Sequence, residues 1–274
     1  MTAQEKLLGK TSNGFHICVG LDSDIKKIPR HLLNHPNPVL EFNKIIIENT
    51  YQKAAAYKIN FAFYEKDGSQ GFETIHRTLE LIPKDVLTIA DAKRGDIGNT
   101  SQMYAHSIYD HFHFDAITLH PYMGFDSVSP FLEYKNKLNF ILALTSNSGS
   151  SDFEKQKLET GKFLYQFVIE KVNEWNKDQN CGIVFGATNI DELNANIDSF
   201  HNLQILLPGV GAQGGSLEEV AKTFSNKRNM NFLINISRAL IYSDDSENFE
   251  LKVTQTIREF NFALHSILNT ANQS

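Results

Sequence analysis

A chain of 274 residues, 41% of them hydrophobic and 21% charged, has the composition of a globular protein large enough to enclose a sizeable core. Its net charge of −6, without a dense basic stripe, argues against nucleic acid as a partner while leaving room for one or two cations placed to hold a small anion. No apolar run approaches the roughly 20 residues of a membrane-spanning helix, the first residues carry no basic region followed by an apolar core, and Cys18 and Cys181 lack C-x-x-C spacing, so the expectation is a cytoplasmic protein with reduced, buried thiols and no membrane association.

A short helix is expected over residues 1–8, and eight apolar runs then follow as strand candidates: 16–21, 54–61, 86–91, 115–120, 139–144, 182–185, 204–207 and 232–236. Amphipathic stretches separate them, most clearly where Leu164, Phe167, Val168, Val172 and Trp175 line one face of a long helix, and residues 249–268 predict a closing helix. Strand and helix alternating eight times is the pattern of an α/β protein of the (β/α)8 TIM-barrel class, here as a single domain over residues 1–274, since no linker or charge block divides the chain. The polar segment Asn147 to Asp152 follows the fifth strand candidate and reads either as an active-site lid or as a plain connection.

In a barrel the C-terminal ends of the strands meet on one rim, so residues ending the eight runs become neighbours. These are Asp22; Lys58 and Asn60; Asp91 and Lys93; His120; Thr145 and Ser146; the glycine-rich PGVGAQGG; and Ser237 with Arg238. The third run is the most informative. Leu87 to Thr100 reads LTIADAKRGDIGNT, and Asp91, Lys93 and Asp96 form D-x-K-x-x-D at its end. Period-two alternation sets Asp91 and Lys93 on one strand face with Asp96 just beyond, and ionisable groups so gathered on a buried strand perturb one another as active-site groups do. Read alone, the motif also fits a solvated turn with an ion pair.

Gly209, Gly211 and Gly214 have G-x-G-x-x-G spacing, but a dinucleotide fingerprint opens its domain and needs an acid about 20 residues on, where this chain reads FLINISRAL. The glycines, with Gly215, better suit a phosphate loop whose bare N–H groups act with Arg238 from the next strand. His106, His111 and His113 match no metal-ligand spacing and read as surface or packing residues, while His120 fits either the site or a structural hydrogen bond. Phe61, Phe63 and Tyr64 read as core or subunit contact.

The motifs GLDSD around Asp22, AYKIN around Lys58, DAKRGDIGNT from Asp91, the TSNSG segment, PGVGAQGG and the final SRA, in this order, resemble the orotidine 5′-phosphate decarboxylases over most of the chain, and most closely the longer bacterial branch. Where many relatives have a proline after D-I, this chain has Gly98. The resemblance implies decarboxylation of orotidine 5′-phosphate to UMP and CO2, the last step of UMP biosynthesis, with no cofactor and no metal. It implies that Lys93 protonates C6 between Asp91 and Asp96, and that Lys58 pairs with Asp91 and contacts the ribose. Asp22 would hold a ribose hydroxyl, Ser146 the pyrimidine, and Gln213 and Arg238 the phosphate. It further implies a homodimer in which Asp96, Ile97 and Thr100 reach the neighbouring subunit's site.

The chemistry is coherent in such a site, because losing CO2 leaves a carbanion that a preorganised ammonium stabilises more than it does the bound substrate. Two rivals stand on the same scaffold. Hexulose phosphate synthases share D-x-K-x-x-D but carry an acidic metal ligand on the second strand, where this chain has Lys58, and a lysine there repels the ion. A noncatalytic phosphate-binding barrel would have no need of Lys93 and Asp96, and both are present.

Overall fold

The computed structural model describes residues 1–211 and 214–270. Eight parallel strands close into a barrel in sequential order: β1 (Ile17–Gly20), β2 (Ala56–Asn60), β3 (Leu87–Arg94), β4 (Ala116–Leu119), β5 (Leu138–Leu144), β6 (Cys181–Phe185), β7 (Gln204–Leu207) and β8 (Phe232–Ile236), with β8 returning to β1. The helices are α1 (Ala3–Thr11), α2 (Pro38–Thr50), α3 (Ala62–Glu65), α4 (Gly68–Leu81), α5 (Gly98–His106), α6 (Phe125–Leu132), α7 (Leu164–Trp175), α8 (Ile190–Asn196), α9 (Leu217–Asn226), α10 (Arg238–Ile241) and α11 (Phe249–Thr270). The apolar runs thus became strands to within a few residues. The largest shift is at β3, which continues past Asp91 to Arg94 because its end is bulged and still paired with β4.

The strands are buried on both faces, as parallel strands wrapped by helices must be. Two apolar layers result. Outward side chains such as Ile17, Tyr57, Ile117, Ile183, Ile205 and Ile234 pack under the helices, while Cys18, Ala56, Leu87, Ile89, Ala116, Leu138, Phe140, Val184, Leu206 and Leu233 fill the barrel. Phe140 occupies the space left at Gly182, where a Cβ would come within 2.8 Å of the ring. Both cysteines are free and buried. Among the described residues no helix is long and apolar enough to cross a membrane.

The bottom of the barrel is stoppered by α1. Thr2 and Glu5 form a reciprocal capping box that starts this helix, and Lys6 pairs with Asp115 at 2.8 Å. Ala3 and Leu7, one helical turn apart, join the interior layer from below. The inward stack is therefore sealed at its N-terminal end and open only at the C-terminal rim. Leu7→Ala should cost about 2–4 kcal/mol, the range for a buried leucine truncated to alanine, read from urea unfolding.

Candidate active site

Strand parity carries the interior row upward into a cavity of about 270 Å³ at the C-terminal rim. Two residues beyond Ala56 stands Lys58, beyond Ile89 Asp91, beyond Ala116 Thr118, beyond Phe140 Leu142, beyond Leu206 Pro208 and beyond Leu233 Asn235, and all of these line the cavity. Asp22, Asn60, Lys93, Ser146, Ser237 and Arg238 complete most of its wall. The polar strand ends are thereby brought together, with the exceptions given below.

At its base lies an array of fixed charge. Lys58 Nζ is 2.7 Å from Asp91 Oδ2 and 3.7 Å from Asp22 Oδ1, and Lys93 Nζ reaches the other Asp91 oxygen at 2.5 Å. Lys58 is 4% exposed. Burial works against its charged form, but Asp22 and Asp91 outweigh that penalty and raise its pKa above the ordinary lysine value. Burial likewise opposes ionisation of Asp91, and the ammonium groups of Lys58 and Lys93 reverse it, holding the carboxyl well below the usual carboxylate range. Thr118 adds a third donor, its hydroxyl 3.0 Å from Asp91 Oδ1. Lys93 itself turns at φ +47°, a left-handed conformation that costs a non-glycine residue of order 1–3 kcal/mol. Among the described residues no group of three or more His, Cys, Asp and Glu gathers at metal-ligating range; the two carboxylates facing the cavity are committed to Lys58.

Asp22 follows β1 and is held by its backbone. Tyr242 donates to its carbonyl at 3.2 Å, Tyr64 donates to the Leu21 carbonyl at 2.9 Å, and Ser23 bonds Asn43 at 2.6 Å. Among the described residues Asp22 Oδ1, Asn235 Oδ1 and Ser237 Oγ are buried side-chain atoms of the cavity wall without a hydrogen-bond partner, which makes them groups for a ligand to satisfy. Gly20 is required beside them, since a Cβ there would stand 1.8 Å from Ser237 Oγ.

Across the rim, Gly209, Val210 and exposed Arg238 form the opposite wall. The rest of the glycine segment serves the loop itself: the Gly211 N–H donates to the Gly215 carbonyl at 3.0 Å, that of Gly214 to Gly211 at 2.9 Å and that of Gly215 to Gly209 at 3.0 Å. Gly209, Gly211 and Gly214 all take positive φ, which explains the residue type without invoking a ligand. Gln213 lies outside the described residues. The helix after this loop, α9, is capped by Ser216 and carries Glu218 and Glu219 in its first turn, so its N-terminus is no anion seat. The cationic side chain on this wall is Arg238, with Gly209, Val210 and Ser237 beside it.

At the end of β5, Thr145, Ser146 and Asn147 line the third side. Glu154 accepts from the Thr145 N–H at 2.6 Å, and Gly186 lies so close to Ser146 that a Cβ would meet its N at 2.7 Å. The expected lid segment forms a 3-10 turn, Ser148–Asp152. Asp96, Ile97 and Thr100 are not brought into this cavity. Asp96 Oδ1 accepts the Ile97 N–H at 2.8 Å, and Ile97 and Thr100 lie exposed at the start of α5. His120 packs on Gly95 and faces an apolar groove beyond Leu142 rather than the cavity; His106, His111 and His113 are on the surface, and Phe61 and Tyr64 are buried in the core. Thr118 and Asn235 are site residues that reading only the last residue of each apolar run does not find; the signal for both is inward parity one step below the strand end.

The family model described as "Orotidine 5'-phosphate decarboxylase / HUMPS family" matches residues 16–249. An orotidine 5′-phosphate decarboxylase of Christiangramia forsetii is 50% identical over 256 residues, covering 91% of this chain and 92% of that relative. Among solved structures, Leishmania donovani OMP decarboxylase superposes with a TM-score of 0.80 at 33% identity, covering 96% of this chain and 100% of that one. Leishmania donovani UMP synthase superposes with a TM-score of 0.81 at 35% identity over 94% of this chain, which spans only 56% of that longer protein.

The charge array sets a pH dependence of stability. The Asp91 carboxyl is depressed in the folded state, so its contribution is complete above the ordinary value of about 3.9 and is lost as pH falls below it. Lys58 is raised, so its contribution is complete below about 10.4 and is lost as pH climbs beyond that value. In urea unfolding, Asp91→Asn should be about 3 kcal/mol less stable than wild type, with the gap flat from about pH 5 to 9 and closing toward pH 2. A gap of constant size down to pH 2 would contradict the assignment.

Proposed function

The chain belongs to the orotidine 5′-phosphate decarboxylase / HUMPS family and acts as a decarboxylase of orotidine 5′-phosphate in pyrimidine biosynthesis; on that premise we propose that Lys93 is its proton donor, poised by Asp91 and Lys58. The observation that carries this reading is the unbroken Lys58–Asp91–Lys93 array at the base of the cavity, facing Arg238 across the rim. With the phosphate on Arg238 and the Gly209–Val210 backbone, and the ribose near Asp22 and Lys58, the pyrimidine lies between Ser146 and Lys93. The bond from C6 to the carboxylate breaks, CO2 departs, and the electron pair left on C6 takes a proton from Lys93 Nζ to give UMP. The ammonium stands in place before charge develops, so little reorganisation accompanies the step. The pair on C6 becomes the new C–H bond while the N–H pair stays on Nζ, and the scheme calls for no cofactor. Lys58 stands where a divalent-metal reading of the same scaffold needs an acidic ligand, which favours decarboxylation over the sugar-phosphate chemistry of related barrels.

The reading extends to a homodimer that shares its sites. Asp96, Ile97 and Thr100 do not line their own cavity, and Ile97, Met103 and Tyr104, at and along α5, leave apolar side chains exposed beside them. A second copy covering this surface would bring Asp96 beside the partner's array.

Orotidine 5′-phosphate mixed with purified protein in EDTA should lose its ultraviolet absorbance as UMP forms, and Lys93→Ala should be slower by a factor of about 10³ or more. Unaltered turnover in that variant would sink the proton-donor assignment. Sharing is tested by mixing inactive Lys93→Ala with inactive Asp96→Ala after dissociation. Random reassociation should restore about a quarter of wild-type activity, because half the dimers are mixed and each has one intact site; no recovery would place each site within one chain.

A further inference from the structure

The β3–β4 ladder pairs Ala90 with Ile117 and resumes with Arg94 opposite Leu119, so that Asp91, Ala92 and Lys93 face the single residue Thr118. Thr88 and Arg94 give their carbonyls to β4 and Asp91 gives its own to β2, so regular alternation would turn the Lys93 N–H toward β2. Here the acceptor is the Thr118 side chain, at 3.1 Å, and the same hydroxyl donates to Asp91 Oδ1 at 3.0 Å. A hydroxyl has one proton to give and lone pairs to receive, and both functions are engaged across the bulge. Thr118 is 2% exposed, so water does not compete for either bond. The two residues it joins are also joined to each other, Lys93 Nζ to Asp91 Oδ1 at 2.5 Å. The left-handed turn at Lys93 and the plane of the Asp91 carboxylate are therefore tied through one oxygen.

We propose that Thr118 is a positioning residue for the decarboxylation, holding the Lys93 backbone in its left-handed turn and the Asp91 carboxylate in its plane so that the ammonium stays aimed at C6. This rests on the reading of Lys93 as proton donor. Thr118 donates nothing to the substrate. Its effect is geometric, and displacements of about 1 Å at a reacting group cost rates of order 10²-fold. Valine has the shape of threonine and can make neither bond, whereas serine keeps both.

The test measures kcat and KM of Thr118→Val, Thr118→Ser and Lys93→Ala, with UMP affinity and urea unfolding of each. Thr118→Val should lose about 10- to 100-fold in kcat with KM and UMP affinity within about threefold, and Thr118→Ser should recover kcat to within about threefold of wild type. If Thr118→Val does not fold, Thr118→Ala takes its place with the same expectation. Wild-type kcat in the valine or alanine variant, beside an inactive Lys93→Ala, overturns the positioning role and leaves the proton donor standing. An active Lys93→Ala overturns the underlying reading itself. Loss of kcat in the serine variant equal to that in the valine variant, tracking the loss of stability, shows packing rather than positioning and also overturns it.

Discussion

A lysine ammonium 4% exposed inside a barrel is the constraint around which the site is built. Removing such an ion from water costs several kcal/mol even after relaxation, and unless the cost is offset the group gives up its proton. Lys58 keeps its charge because Asp91 stands 2.7 Å away and Asp22 within 3.7 Å. The obligation is mutual. Asp91 is ionised against burial only because ammonium groups flank it, and with Lys58 on one oxygen and Lys93 and Thr118 on the other it has no freedom to rotate. Arranging these charges is thus done by folding, and none of it is left for the moment of reaction.

The barrel supplies the second requirement, a separation of tasks. Its floor is closed by Ala3 and Leu7, its middle is filled by buried apolar side chains, and the cavity lies at the C-terminal rim. Lys58 and Asp91 rise from β2 and β3, while Arg238 and the Gly209–Val210 segment lie on the far side after β8 and β7. A ligand spanning the two halves meets the Lys58–Asp91–Lys93 array at one end and the Arg238 guanidinium at the other. Binding energy gained at the guanidinium can then hold the reacting end against an array whose own charge would repel a second carboxylate at Asp91.

Most of this frame was legible in the sequence, for a physical reason: parallel strands buried on both faces appear as short apolar runs, and polar residues that end them have few places to go but the rim. Residues 204–207 and 232–236 were read as strands with the bounds of β7 and β8. D-x-K-x-x-D was legible because three charges after an apolar run demand partners. Thr118 was not, since a threonine inside a strand is also ordinary β-propensity, and nothing in ITLH marks the bulge it serves. Nor does glycine spacing tell which N–H groups stay available; Gly211, Gly214 and Gly215 spend theirs on carbonyls of the loop itself. Asp96 exposes a deeper limit. Its spacing from Lys93 is local, but the carboxylate turns back to its own Ile97 N–H, so a role at an active site needs a second chain that no single sequence displays as geometry.

The bulge explains why Asp91 and Lys93 act as a unit and Asp96 apart. On a straight strand, side chains two residues apart rise in parallel roughly 7 Å from each other, and the strand would turn the Lys93 N–H toward β2 and continue along the barrel wall. Extra residues opposite Thr118 break that course. The left-handed turn at Lys93 ends the inward row, lets the ammonium fold back onto Asp91, and sends the chain outward through Gly95 toward Asp96. Gly98, at φ +51°, continues the departure with a backbone that proline cannot adopt. The strain of this turn therefore falls on a residue whose side chain is bound to a buried carboxylate that Lys58 and Thr118 also hold. Relaxing it would mean breaking the Thr118 bonds and leaving buried Asp91 short of a donor, so the array that needs the turn is also what maintains it.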